Sequence, residues 1–430
     1  MAAALLFLGV SLPAPLGAAP ASPGIGAEIL GFWNFGGEGD ECFASVLQTR
    51  DGGVFLTGWT DSVGGPLPEA RGRGDFWALK LDSKGVGEWE RGLGGSGDDL
   101  ALSAVQAPDG AFVLLGGSDS SDGDLSVSLG EGDMWAVELS PEGALQWSRA
   151  LGGSDQDMGR SVVNAADGGF VVLGDSYSGD GDLIGRHGES DAFLAKLDAS
   201  GNVLWKRIYG GAGEDTLRAL AATPDGGYAA AGCSDGGEEG GGDGGYDFWF
   251  LKLNARGGKE WEKTIPGSGD DCAYSLISAS DGSYVLAGSS ERLEGGPEKE
   301  GGGSRIRILK LDPSGSSLWD RTLKDGGREA LRSLVETPDG SLLAVGFARP
   351  SGSRDDASEK GGMLVMKLDS MGLPLWRETL GGLGLGLSIA AAGDGAYLAA
   401  GCGEGGGGLF QNNGGIDALL LKFKEKGGNF

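Results

Sequence analysis

Carboxylates are the reactive group this chain carries in quantity, with 62 Asp and Glu against 34 Lys and Arg and a net charge of -28. Six of them recur at one spacing. Five positions past a Gly-Gly site that returns about every 57 residues stand Glu41, Asp99, Asp157, Asp215, Asp271 and Glu329, with Gly386 in the seventh place. Like charges held close together stabilise a bound cation, so these six are a candidate binding face for a cation or a cationic ligand. A second reading is that each carboxylate accepts backbone N–H groups and staples its own loop, a need that arises once per repeat. The pairs Asp122 with Asp124 and Asp180 with Asp182 each flank one glycine. That oxygen spacing suits calcium, the only cofactor the sequence suggests, although the terminal Glu of a full EF-hand loop is missing and a solvated turn is the competing reading.

Other chemistry is scarce. His187 is the only histidine, so Ser-His, Cys-His and histidine-metal sites have no partners to draw on. A carboxylate pair cleaving a glycoside needs two acids that stand out from the repeat beside a basic anchor, and no unit provides them. No catalytic residue is therefore assigned. A carbohydrate-acting hydrolase or lyase using carboxylates of the loop face is kept as the alternative to a non-catalytic binding or scaffold module. The runs Gly240–Gly242, Gly301–Gly303 and Gly405–Gly408 have no Lys-Ser/Thr and no following helix, and read as loop tips rather than phosphate cradles.

The elements that position these residues come from a repeat. Trp33, Trp89, Trp147, Trp205, Trp261, Trp319 and Trp376 are separated by 56, 58, 58, 56, 58 and 57 residues. A turn aspartate at 51, 109, 167, 225, 281, 339 and 394 is followed seven residues later by a glycine at 58, 116, 174, 232, 288, 346 and 401. Within one unit the β-rich runs Ser161–Ala165, Phe170–Leu173, Ala192–Leu197 and Val203–Ile208 read as four strands, joined by an Asp-Gly turn, a longer variable loop and an Asp-x-x-Gly turn. The chain enters with a spare fourth strand over 27–33 and leaves with a third strand, Ile416 to Phe423. Placing the spare strand on the last sheet completes it and covers an open edge. The expected fold is all-β, a seven-bladed β-propeller of four-stranded antiparallel blades over residues 22–430, closed by its N-terminal strand.

The unit Trp147 to Trp205, with Gly152-Gly153, Asp167-Gly168-Gly169, Ser176 to Asp182 and Lys196-Leu197-Asp198, resembles the β-propeller repeats of secreted bacterial proteins. Its hairpin from Leu197 to Trp205 is also similar to the tryptophan-docking motif of pyrroloquinoline-quinone propellers, one residue shorter between Asp and Gly. Those enzymes carry adjacent cysteines, which this chain lacks. The resemblance implies a fold and leaves function open.

Residues 1–21 are uncharged, with an apolar run from Ala2 to Leu12 and a small-residue site Ala19-Pro20-Ala21, as in a signal peptide. With the first cysteine at Cys42 there is no lipid-anchor cysteine at that site, so a secreted or periplasmic protein is expected, without membrane insertion. The acidic balance argues against nucleic acid as a partner. A protein or carbohydrate ligand and a monomeric state are expected. On the repeat frame Cys42 and Cys272 open inner strands, while Cys233 and Cys402 end second strands of the neighbouring blades. Disulfides Cys233–Cys272 and Cys42–Cys402 follow, the second only if the ring closes between blades seven and one.

Overall fold

A computed structural model of the chain describes residues 26–62, 71–125, 127–183, 185, 187–236, 245–267, 269–292, 303–323, 327–349, 361–404 and 414–426. The expected signal peptide and most of the glycine runs lie outside the described residues. The described residues form 28 strands in seven sheets of four, each antiparallel and ordered from the axis outward as they occur in the chain. In the first blade these are Glu41–Gln48, Val54–Thr60, Asp75–Leu81 and Gly87–Leu93. Among the described residues no helix is long and apolar enough to cross a membrane.

The last sheet takes its outer strand from the start of the chain. Ala27–Phe35 pairs antiparallel with Asp417–Glu425, from Ala27 opposite Glu425 to Phe35 opposite Ala418. Each inner strand touches the inner strand on either side, and the circle is completed where Glu41–Gln48 meets Leu385–Ala391. A serine belt runs along these junctions. Val46 N donates to Ser388 Oγ at 3.2 Å across the seam, as Val162 does to Ser103 and Ile389 to Ser333 elsewhere. Both expected disulfides are present, Cys42–Cys402 across the seam and Cys233–Cys272 between blades four and five, each with a Cα–Cα distance of 4.8 Å.

Between the blades lie seven apolar clusters, each drawing on two neighbouring sheets. The one at the seam joins Phe35, Phe43, Trp77 and Leu79 to Leu398 and Leu420. The frame tryptophans close these layers at the rim, six of them covering the turn after the third strand of the next blade, which opens with Asp in four blades, Ser140 in the second and Asn254 in the fourth. At those turns the glycine has a positive φ (81° at Gly143, 76° at Gly201), and a Cβ there would stand 2.7 Å from the indole of Trp89 or Trp147. In blade seven, whose outer strand comes from the start of the chain, Trp376 of blade six stands over Gly26 instead.

Every inner strand also carries a β-bulge, between its pairs Phe43/Ser45, Ala101/Ser103, Gly159/Ser161, Leu217/Ala219, Ala273/Ser275, Leu331/Ser333 and Gly386/Ser388. This accounts for the glycine seven residues after each turn. A Cβ on Gly58 would overlap the Cys42 carbonyl, and one on Gly116 the Leu100 carbonyl, because the bulge presses the inner strand onto that point.

A lysine on the third strand, buried in four units and half-buried at Lys310 and Lys422, reaches back to the turn aspartate in six units. Lys80 lies 3.0 Å from Asp51, Lys252 2.8 Å from Asp225, and Lys310 2.8 Å from Asp281. Lys196–Asp167, Lys367–Asp339 and Lys422–Asp394 are the equivalents. The pairing holds the Asp225 carboxyl down to about 2, chiefly through Lys252. Blade two breaks the rule, with the buried Glu138 facing Asp109 in place of lysine. Burial first, and the Asp109 charge second, push Glu138 up to about 7.

Candidate binding face

The six framed carboxylates do not form an open ring of charge at the channel mouth. All six are buried within the first three residues of the inner strands, where their oxygens face the inter-blade loops rather than water. Glu41 accepts from Gly37 N at 2.8 Å and Thr60 Oγ1 at 3.0 Å, with Ser62 as a third donor. Asp99 takes Gly95 N and Ser120 Oγ, both at 2.8 Å, and Ser118. Asp157 takes Gly153 N at 2.8 Å and Ser178 Oγ at 2.9 Å, with Ser176, and Asp215 takes Gly211 N at 2.6 Å. Where the Gly-Gly pair is altered, cations take over the role. Arg307 stands 3.4 Å from Asp271, and Arg377 donates to Glu329 at 2.7 Å. Burial raises the carboxyls of Glu41, Asp157, Asp271 and Glu329 above the usual range, against the pull of the hydrogen bonds at the first three.

A second set of carboxylates went unread in the sequence. Asp75, Asp133, Asp191, Asp247 and Asp417 begin third strands and sit beside the inner-strand acids of the next blade. Asp75 accepts from Arg71 N and Asp133 from Leu129 N, both at 2.8 Å, and Asp191 from His187 N at 2.6 Å. Burial, with the charges of Asp99, Asp157 and Asp215, pushes these three upward. The available signal was the constant spacing of 24 residues from Asp75 to Asp99, Asp133 to Asp157, Asp191 to Asp215 and Asp247 to Asp271. His187 itself is exposed, its imidazole 3.9 Å from Asp191.

The four calcium candidates are engaged in tying the variable loop to the Gly-Gly loop. Asp122 accepts from Ser96 N at 2.7 Å and Asp180 from Ser154 N at 2.8 Å. Asp124 takes Gly94 N at 3.2 Å and Arg71 at 2.8 Å, and Asp182 pairs with Lys206. Among the described residues no cluster of three or more acidic, histidine or cysteine side chains is arranged to hold a metal.

Sevenfold symmetry fails on the loop face of blades one to three. A cavity of about 610 Å³ opens there, walled by Trp59, Leu100, Met158 and the exposed ring of Tyr177. Its polar groups are Arg73, Asp98, Asp119, Gln156, Arg160 and Asp175. Arg73 pairs with Asp98 at 3.0 Å, and Arg160 donates to the buried Asp175 at 2.7 Å. Burial, then the charge of Asp98, raises the Asp119 carboxyl. None of Trp59, Tyr177 and Arg160 is repeated in the second blade, where Gly117, Asp119 and Leu102 stand instead.

No family model matches the chain. It is 28% identical over 297 residues to the regulatory protein FlaEY of Caulobacter vibrioides, an alignment covering 64% of this chain and 29% of that protein's length. Among solved structures it is similar to Sqt1 from Chaetomium thermophilum, with 12% identity, a TM-score of 0.44 and coverage of 93% of this chain and 100% of that one. It is also similar to a putative gluconolactonase, with 15% identity, a TM-score of 0.36 and coverage of 75% and 89%.

Proposed function

We propose that this chain is an exported, non-catalytic binding module whose loop face takes a carbohydrate in the cavity of blades one to three. The observation that carries the reading is the composition of that cavity. Aromatic walls from Trp59 and Tyr177 offer flat apolar faces, while Arg73, Asp98, Asp119 and Gln156 offer donors and acceptors at the rim, the combination that orients a polyhydroxylated ligand. The repeated carboxylates are occupied by their own loops, which leaves specificity to residues that depart from the repeat. Two disulfides and the leader-like residues 1–21 support export.

Binding of the labelled protein to an array of oligosaccharides tests this. Retained glycans, lost on Trp59→Ala or Tyr177→Ala, are expected. Capture of proteins but of no glycan would replace the carbohydrate with a protein ligand.

The raised Asp119 beside Asp98 favours one second reading, a glycoside-cleaving pair with Asp119 as the acid. Release of reducing sugar that disappears in Asp119→Asn would establish it. The carboxylates of the Asp122/Asp124 and Asp180/Asp182 loops already have donors, which stands against calcium there, and the chelator experiment below tests it.

A further inference from the structure

The bulge on each inner strand leaves one residue outside the ladder, at the same place in every blade, and a bulge re-aims such a side chain. In chain order these residues are Ala44, Leu102, Arg160, Arg218, Tyr274, Arg332 and Leu387. Their flanking neighbours are buried between blades, as Leu217, Ala219, Leu331 and Ala273 are, whereas Arg218, Tyr274 and Arg332 keep partial access to solvent. Inner strands meet around the axis, so this residue belongs to the central channel. The channel is two-sided as a result. Blades seven, one and two give it Leu387, Ala44 and Leu102, and blades three to six give it three arginines and a tyrosine.

Three arginines at one equivalent position in a chain of net charge -28 is an inversion of the overall balance. Arg160 is neutralised by Asp175 at 2.7 Å. The other two are not. No arginine–carboxylate pair among the described residues involves Arg218 or Arg332, and Arg218 Nε is buried without a hydrogen-bond partner. The Arg332 guanidinium lies 3.9 Å from the centroid of the Tyr274 ring and 5.7 Å from that of Phe347, so aromatic rings hold it in place without an ion pair to a carboxylate. Burial, and after it the nearby Arg218 charge, disfavours the charged form of Arg332, while Tyr274 and Glu291 act the other way. Two guanidinium groups near enough for one charge to act on the other, neither of them in an ion pair, form a binding site for an anion.

We propose that the central channel of blades four to six is an anion site, in which Arg218 and Arg332 bind the oxyanion of a small phosphate or polycarboxylate beside the Tyr274 ring. The site uses none of the residues of the loop-face cavity assigned to carbohydrate. It stands or falls separately from that assignment.

Inorganic phosphate and citrate are the probes, each compared with sodium chloride at matched ionic strength on the full chain, by melting temperature and by titration calorimetry. Wild-type protein is expected to melt higher in phosphate or citrate than in chloride. Arg218→Gln and Arg332→Gln are each expected to weaken the bound probe by about tenfold, the worth of one charge-assisted hydrogen bond. Arg218→Lys should recover part of the loss, and Arg256→Gln, on an exposed turn, should leave binding unchanged. Because the glutamine variants remove like-charge repulsion, they are expected to fold, which their circular dichroism checks. Identical melting of the wild type in all three salts, or a wild-type response from the Arg218→Gln/Arg332→Gln double variant, overturns the proposal.

Discussion

Glu138→Lys should make the protein more stable, because it restores in blade two the lysine that six other units place against the turn aspartate. The wild-type cost follows from the glutamate's titration. Its carboxyl is lifted from an ordinary 4.5 to about 7 by burial and by the Asp109 charge. At ~1.4 kcal/mol per unit, ionising it in the folded state costs on the order of 3 kcal/mol. Because the folded pKa is the higher one, that cost is absent below about pH 4.5, grows as the pH rises through the interval, and is complete above about pH 7. A lysine removes the cost and adds an ion pair with Asp109 like that of Lys252 with Asp225. With an unfolding entropy of ~2.1 cal/mol/K per residue over about 400 residues, 3 kcal/mol corresponds to a melting shift of roughly 3 to 4 °C. Calorimetric scans of wild type, Glu138→Lys and Glu138→Gln at pH 8 and pH 4.5 are the assay. Both variants should melt higher than wild type at pH 8, with lysine ahead of glutamine, and the advantage should shrink towards pH 4.5. An advantage of the same size at both pH values, or a lysine variant that melts lower at pH 8, would rule out the ionised Glu138 as the source of the cost.

Loss of the seam disulfide in Cys42→Ser/Cys402→Ser should cost more than loss of Cys233–Cys272. Chain entropy sets upper limits of about 6 and about 4 kcal/mol, read from urea denaturation midpoints of the two double variants. Asp99→Ala strands Gly95 N–H and two serine hydroxyls and should destabilise the protein by about 3 kcal/mol in the same assay. Across pH, the raised carboxyls of Glu41, Asp75, Asp133, Asp157 and Asp191 add stability as the pH falls towards their folded values. The depressed Asp225 and Asp281 lose theirs as it falls from the ordinary carboxyl range towards about 2. A stability maximum on the acid side of neutrality, between about pH 4 and 6, is therefore expected from a pH series of melting curves. The calcium candidates already accept N–H groups and cations, so EDTA should leave the melting midpoint unchanged, and a fall on chelation that calcium reverses would show that these loops bind it.

The fold was legible because its determinants recur. Trp, Asp-Gly and the following glycine each answer to one contact made seven times, and the count of spare strands at the two ends fixed the seam. The cysteine pairs were legible for the same reason, since their places on the frame named both partners. The framed carboxylates were legible as a set but ambiguous in role, because a ring that stabilises a cation and a staple that satisfies a loop have the same spacing. Only the burial of Glu41 and Asp99 separates the two. The cavity and the channel were hidden in the opposite way. Trp59, Tyr177, Arg218 and Arg332 are departures from the repeat, and their meaning depends on a bulge and on neighbouring blades that no local pattern reveals.

If residues that obey the repeat hold the ring and residues that depart from it bind ligand, substitutions of the two kinds separate stability from binding. Titration calorimetry with an array-selected oligosaccharide, alongside melting curves, tests it on Tyr177→Ala and Asp215→Ala. Tyr177→Ala is expected to bind at least about tenfold more weakly and to melt like wild type, while Asp215→Ala is expected to bind like wild type and to melt lower. Wild-type binding by Tyr177→Ala, together with loss of binding in a normally melting Asp215→Ala, would contradict it.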